Sequence, residues 1–202
     1  MRHANRSWMS LSGAATLLGG LCLSCGWPLS CAAVETADTA AADIVTGAWQ
    51  HHKVTFDYFG ITSLFTCDGL QDHVRQILLH LGARKDVTVR ATGCPGPFDA
   101  PSQSAWVDAD FYTLAPVADA GEPGTVKARW TALEVSPQRP SFIGDGDCEL
   151  IERMKDLITK NFSLRNIEYR TDCIPHEIRV NGFAVKGQAL RALPLKSTTV
   201  KG

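Results

Sequence analysis

Two stretches of the chain share one pattern, and each is bounded by a pair of cysteines. Residues 66–94 read TCDGLQDHVRQILLHLGARKDVTVRATGC, and residues 147–173 read DCELIERMKDLITKNFSLRNIEYRTDC. Each stretch starts a helix-type apolar period at its first cysteine and changes to a strand-type pattern before its second cysteine. The first cysteines are 81 residues apart and the second cysteines 79. The sequence therefore predicts one structural unit that occurs twice.

The apolar residues of each stretch form one stripe along a helix. They recur at intervals of three, four and seven residues, as the core-facing side of a helix does. Acidic residues precede or begin both stripes, which suits the positive end of a helix dipole. The two stripes are Leu70, Val74, Ile77, Leu78 and Leu81, and then Leu150, Ile151, Met154, Leu157 and Ile158.

The correspondence between the copies continues outside the cysteines. AWVDADFYTLAP (105–116) aligns without gaps on FAVKGQALRALP (183–194), and KVTFDYF (53–59) corresponds loosely to RWTALEV (129–135). Each copy therefore reads strand, helix, strand, strand. We expect a single domain over 48–195, with repeat one at about 48–116 and repeat two at about 124–195.

This order of elements predicts an α+β fold with two helices on one face of a mostly antiparallel sheet of six or seven strands. The β-α-β core of each copy looks like the ferredoxin-like arrangement. We further expect 105–113 to pair antiparallel with 125–131. That pairing would set Asp108 and Asp110 against Arg129 and Lys127.

Four cysteines lie in the domain, and four cysteines allow three disulfide connectivities. In a β-α-β unit with parallel strands, the helix begins at the end of the layer where the second strand ends. Pairing within each copy, Cys67 with Cys94 and Cys148 with Cys173, is therefore the geometrically favoured choice. Catalytic thiols are the alternative, but the domain lacks the Cys-x-x-Cys spacing typical of redox enzymes.

The beginning of the chain predicts export. Residues 1–33 have a basic start, a short apolar run and small residues before a cut near Ala33, as a cleaved signal peptide does. A lipoprotein anchored through Cys22, Cys25 or Cys31 is the alternative. We expect a soluble periplasmic protein with a disordered leader at 34–47 and a short tail at 196–202.

Charge excludes some partners. Loss of residues 1–33 would remove two basic and no acidic residues, which leaves 18 basic and 21 acidic residues and a net charge of about −3. Such a balance gives no electrostatic footprint for nucleic acid. No stretch after the signal is long and apolar enough to span a bilayer. The expected partner is an unknown envelope protein or a small ligand.

Motifs of catalysis and metal binding are missing from the sequence. It has no Gly-x-Ser-x-Gly, no phosphate loop and no His-Glu-x-x-His. The GDGD stretch at 144–147 lacks the further ligands of a calcium loop. We therefore predict no metal and no cofactor. The histidines of the domain, whose roles the sequence leaves open, are His51, His52, His73, His80 and His176.

One predicted strand carries the candidate binding face. Alternation along 105–113 places Trp106, Asp108, Asp110 and Tyr112 on one side and apolar residues on the other. A tryptophan and a tyrosine interleaved with carboxylates suit a ligand or partner surface. The same pattern would also suit a covered second face of the sheet.

Two resemblances accompany these patterns. The stretch ITSLFTCDGLQDHV…DVTVRATGC resembles the heavy-metal-associated domain, which is ferredoxin-like and binds copper through a Met-x-Cys-x-x-Cys loop. Cys67 matches the first cysteine, but Leu70 stands at the second and the Met is absent, so the resemblance implies the fold without the metal site. VTFDYFGITSLFTCDGL and LLHLGARKDVTVRATGC resemble exported proteobacterial proteins of unknown activity.

The sequence thus favours a non-enzymatic exported binding or envelope-accessory protein. A periplasmic hydrolase with an unrecognised site is the alternative. A deep pocket that gathers histidines and carboxylates would favour the enzyme. An exposed aromatic surface at Trp106 and Tyr112 would favour binding.

Overall fold

This computed structural model describes residues 44–94, 100–118 and 123–194, which contain six strands and three helices. All strand pairs are antiparallel, and the strand order across the sheet is β2-β3-β1-β4-β6-β5. A one-turn 3₁₀ helix, Asp145–Asp147, precedes α2. The elements are β1 (Ile44–Phe59), α1 (Cys67–Leu81), β2 (Thr88–Thr92), β3 (Ser104–Pro116), β4 (Thr125–Val135), α2 (Cys148–Arg153), α3 (Lys155–Asn161), β5 (Leu164–Thr171) and β6 (Phe183–Ala192).

The predicted α+β class and antiparallel six-stranded sheet are confirmed. Strand, helical segment, strand, strand occurs once in β1–β3 and once in β4–β6. From each edge inward, the sheet holds the second, third and first strand of one half. The ferredoxin-like class and the duplication itself stay predictions.

The predicted pairing of 105–113 with 125–131 is wrong. β3 lies between β2 and β1, and β4 pairs with β1 and β6. Asp108 and Asp110 therefore do not face Arg129 and Lys127. The cause is the length of β1, whose 16 residues pair with β3 over 47–59 and with β4 over 44–48, and so separate the two.

The start of β1 also shortens the predicted leader. β1 begins at Ile44, so residues 44–47 belong to the sheet, because the first residues of β1 pair with Thr125–Arg129. Residues 34–43, the tail at 196–202 and the signal peptide predicted at 1–33 lie outside the described residues. In the part of the chain that the structure describes, no helix is long and apolar enough to cross a membrane.

The second helix is not continuous as predicted. It divides at Met154 into α2 and α3, although Met154 still donates its backbone N–H to the carbonyl of Leu150, at 2.9 Å. The apolar stripe survives the division, because all its residues are buried in the main core together with those of α1. Full burial of one such side chain stabilises the fold by roughly 1.5–3 kcal/mol.

The disulfide prediction is confirmed. Cys67 bonds to Cys94 and Cys148 to Cys173, with Cα–Cα distances of 5.9 and 5.6 Å. Cys67 opens α1 beside the N-cap Thr66, whose hydroxyl accepts the N–H of Gly69 at 2.9 Å. Each bond therefore joins a helix start to the end of the following strand.

Removal of either disulfide should destabilise the protein. The bonded cysteines are 27 and 25 residues apart. Loops of this size correspond to about 3–4 kcal/mol in the chain-entropy model. We expect the paired variants Cys67→Ser/Cys94→Ser and Cys148→Ser/Cys173→Ser to lose similar free energies of unfolding in urea titrations. Losses below about 1 kcal/mol would contradict a stabilising role for these bonds.

Candidate functional site

The residues predicted on one side of β3 do share a face, and it points away from the main core. The side chain of Trp106 is 60% exposed. Asp108 is exposed, while Asp110 and Tyr112 are partly covered. We call this side of β1, β2 and β3 the open face. The intervening residues of β3, which face the core, are Ala105, Val107, Ala109 and Phe111.

Strand register brings polar residues of the neighbouring strands beside these carboxylates. Asp110 lies between Lys53 of β1 and Thr88 of β2, and Asp108 lies between Thr55 and Arg90. Together these residues line an open depression of about 580 Å³. Its charged side chains are Lys53, Arg90, Asp108 and Asp110, so their formal charges cancel.

Asp110 is the most strongly engaged carboxylate of the open face. Its Oδ1 lies 2.7 Å from the Nε2 of His51, and its Oδ2 lies 3.4 Å from the Nζ of Lys53. The hydrogen bond from His51, with the help of Lys53, holds the pKa of Asp110 below its ordinary value. Asp108 accepts the Thr55 hydroxyl at 2.6 Å. The lowered pKa favours the ionised form of Asp110, and hydrogen bonds fix the orientation of both carboxylates.

Tyr112 is enclosed by other side chains. The ring of His51 stacks on it with 4.7 Å between centroids, and the guanidinium of Arg84 lies 3.6 Å from its centroid. Arg84 is itself held by both carboxylate oxygens of Asp86, at 2.6 and 2.8 Å. Tyr112 thus belongs to a packed stack at one end of the open face.

Trp106 lies at the opposite end of the open face and is largely exposed. Its ring lies over Gly93, where a Cβ would come within 3.0 Å of the indole Cδ1 and where φ is +76°. Only glycine combines that backbone with so close a contact at low cost. Asp57 and Phe59 complete a small hollow of about 250 Å³, and Phe59 is 45% exposed.

The structure spreads the histidines over several places. His52 points to the core side, where it lies 2.9 Å from the hydroxyl of Thr113. The Nε2 of His73 lies 3.0 Å from the Oδ1 of Asp147, but the angles at these atoms do not suit a hydrogen bond. His176 is exposed in the connection before β6. No group of three or more His, Cys, Asp or Glu within 44–94, 100–118 and 123–194 is placed to hold a metal ion.

The chain matches no protein-family model, no curated protein and no solved structure. Its function therefore has to be inferred from these surfaces.

Sequence reasoning missed the contributors from β1 and β2 to the open face. The sequence of β1 alternates between core-facing and outward residues, so the shared side of the outward residues could have been detected from the sequence. They are Lys53, Thr55, Asp57 and Phe59. Their position beside Asp108 could not be detected, because it depends on the register between two strands whose paired residues Thr55 and Asp108 are 53 positions apart.

The partly buried His80 should make the protein less stable in mild acid. His80 lies 2.9 Å from the carbonyl of Glu134, and burial lowers its pKa below the ordinary value of 6.5. As pH falls below about 6.5, His80 is protonated in the unfolded chain before it is protonated in the folded protein. The free energy of unfolding therefore decreases with falling pH until the lowered pKa of the folded state is passed. We expect His80→Gln, which retains a donor for Glu134, to lose less stability than wild type on acidification.

Urea unfolding at about pH 7 and about pH 5.5 measures this difference. His176→Gln is the matched control, because His176 is exposed. It should follow the wild type. Equal pH dependence in His80→Gln and wild type would show that His80 does not contribute.

Proposed function

We propose that the protein is a non-enzymatic exported binding protein whose ligand lies on the open face. The observation that carries the proposal is the exposed Trp106 beside a polar depression whose formal charges cancel. A tryptophan ring left 60% exposed is available for stacking. The neighbouring carboxylates and cations supply hydrogen-bond acceptors and donors in fixed positions.

The size of the open face favours a small ligand over a large protein partner. From Trp106 to Tyr112 it measures about 20 Å along the strand, and three strands are about 10 Å apart from first to last. That gives roughly 200 Å², whereas a stable protein interface takes about 800 Å² from each partner. His51 and Arg84 moreover enclose Tyr112, so the accessible length of the open face is shorter than this estimate.

The chemistry of the open face favours a neutral, polyhydroxylated ligand. The cancelling charges of Lys53, Arg90, Asp108 and Asp110 favour neither an anion nor a cation. Hydroxyl groups both donate and accept, so they can bond to carboxylates and cations alike. The apolar face of a sugar ring can stack on Trp106 and Phe59. We therefore propose a linear saccharide as the ligand.

Export, the duplicated origin and the proteobacterial family belong to the same proposal. Two disulfides are typical of oxidising compartments and support export. The repeated element order and mirrored strand order support a duplication of one ferredoxin-like half. A soluble periplasmic protein would meet saccharides in the cell envelope.

Loss of the exposed ring should weaken binding. We expect Trp106→Ala to weaken saccharide binding by about 2 kcal/mol, roughly 30-fold, because a central aromatic contact contributes that much. Titration calorimetry with linear tetrasaccharides of glucose and of N-acetylglucosamine measures the effect. Phe59→Ala should weaken binding less.

Ile178→Ala is the matched control, because Ile178 is a 61% exposed apolar residue in the connection before β6. It should bind as the wild type does. A wild-type protein that binds neither sugar, or a Trp106→Ala variant with unchanged affinity, would refute the saccharide proposal.

A hydrolase is the second candidate, and the pair of His51 and Asp110 favours it. A histidine held at 2.7 Å by a carboxylate is the arrangement of a base and its orienting group. If the protein hydrolyses the bound saccharide, His51→Gln should abolish product formation in a reducing-end assay while calorimetry still detects binding. If the wild type forms no product, the hydrolase candidate is rejected and the binding function remains.

A further inference from the structure

Two arginines stand directly opposite each other on the central strands of the second half. Arg129 of β4 pairs in register with Arg191 of β6. Directly opposed residues of an antiparallel pair have their Cβ atoms about 4.5–5.5 Å apart, and like charges at that distance are destabilising. A protein that keeps such a pair without a compensating acid has a charge pattern that an anion would complete.

Neither guanidinium has a carboxylate partner within the described residues. Both side chains are partly buried, and the Nε atom of each is buried without a hydrogen-bond partner. No carboxylate in 44–94, 100–118 or 123–194 forms an ion pair with either. A buried donor without a partner costs about 1–3 kcal/mol, and more when it is charged. Both Nε–H groups are therefore enclosed, unsatisfied donors, and a ligand would have to approach through the terminal nitrogens of the guanidinium groups.

A structural role accounts for only part of this arrangement. A terminal nitrogen of Arg191 donates to the carbonyl of His80 in the last turn of α1, where a cation is favourable. Burial lowers the pKa of Arg191, and its charge contributes to the lowered pKa of His80. The contact with α1 leaves the Nε of Arg191 unused, and it does not involve Arg129.

The surroundings of Arg191 add further positive charge and an apolar wall. A mainly apolar hollow of about 410 Å³ adjoins it, lined by Trp49, residues 82–85 and residues 191–194. Arg84 in this lining is neutralised by Asp86, and Lys85 makes no ion pair among the described residues. The hollow therefore offers a cationic rim beside an apolar surface.

We propose that Arg129 and Arg191 form a binding site for an oxyanion, a phosphate or carboxylate group. Two guanidinium groups present planar donors that match the oxygens of such a group. The anion would offset the repulsion between the two cations and accept hydrogen bonds from the terminal N–H groups of the two guanidiniums, because both Nε atoms are enclosed. The apolar hollow would accept a hydrophobic part of the ligand where it has one.

Thermal unfolding of the disulfide-bonded protein tests this site. We expect inorganic phosphate to raise the melting temperature of the wild type above that in sodium chloride of equal ionic strength, because a ligand bound only to the folded state stabilises it. Arg129→Gln should lose this phosphate-specific rise. In chloride it should melt no lower than the wild type, because one of two repelling charges is gone.

Calorimetry should show phosphate bound at least about tenfold more weakly by Arg129→Gln, equivalent to about 1.4 kcal/mol. Arg129→Lys keeps the charge and should also bind more weakly, because one ammonium cannot replace the planar donors. Arg75→Gln, which removes an exposed arginine of α1, is the matched control and should respond to phosphate as the wild type does.

Acetate and hexanoate separate the sources of the anion. Hexanoate bound more tightly than acetate would place a carboxylate with an apolar chain in the hollow, and binding of phosphate alone would indicate a phosphoryl group. Either result supports the site. Identical melting of the wild type in chloride and in all three anions would overturn it. So would a full phosphate response in Arg129→Gln.

Discussion

Pairing of β1 with strands from both halves is the constraint on which the rest of the structure depends. The strand is long enough to bond to β3 along most of its length and to β4 at its beginning. It therefore unites two β-α-β-β halves into one sheet, and the helices of both halves pack into one core. Because β1 lies between β3 and β4, the aspartates of β3 do not pair with Lys127 and Arg129 of β4. The open face and the arginine pair are consequences of that separation.

Each half also has a constraint of its own. The disulfides hold each helix start against the end of the next strand. Across the halves, the carboxylate of Glu149 at the start of α2 accepts the backbone N–H groups of Ile61 and Thr62, at 2.9 and 3.0 Å. Those residues directly follow β1, so this contact holds the loop after β1 against the second half.

Local features of this fold could be predicted from the sequence, and non-local ones could not. The helix stripes, the alternation along β3 and the disulfide pairing depend on periods and distances within one copy. The neighbours of Asp108 depend on register between strands of distant sequence, which no local pattern specifies. For the same reason no sequence pattern indicated that Arg129 would oppose Arg191. The division of the second helix at Met154 also escaped prediction, since its apolar stripe is uninterrupted.

The two proposed sites differ in how their charges are balanced, and this difference argues for different ligands. On the open face, Asp110 is bonded to His51 and lies beside Lys53, so the protein already satisfies its own charges. A ligand there gains little from a net charge and more from stacking and hydroxyl bonds. At Arg129 and Arg191 the described protein holds two opposed cations without a carboxylate partner, so an anion gains from both. A saccharide should therefore bind with weak salt dependence, and an oxyanion with strong salt dependence, because salt screens charge far more than it weakens stacking.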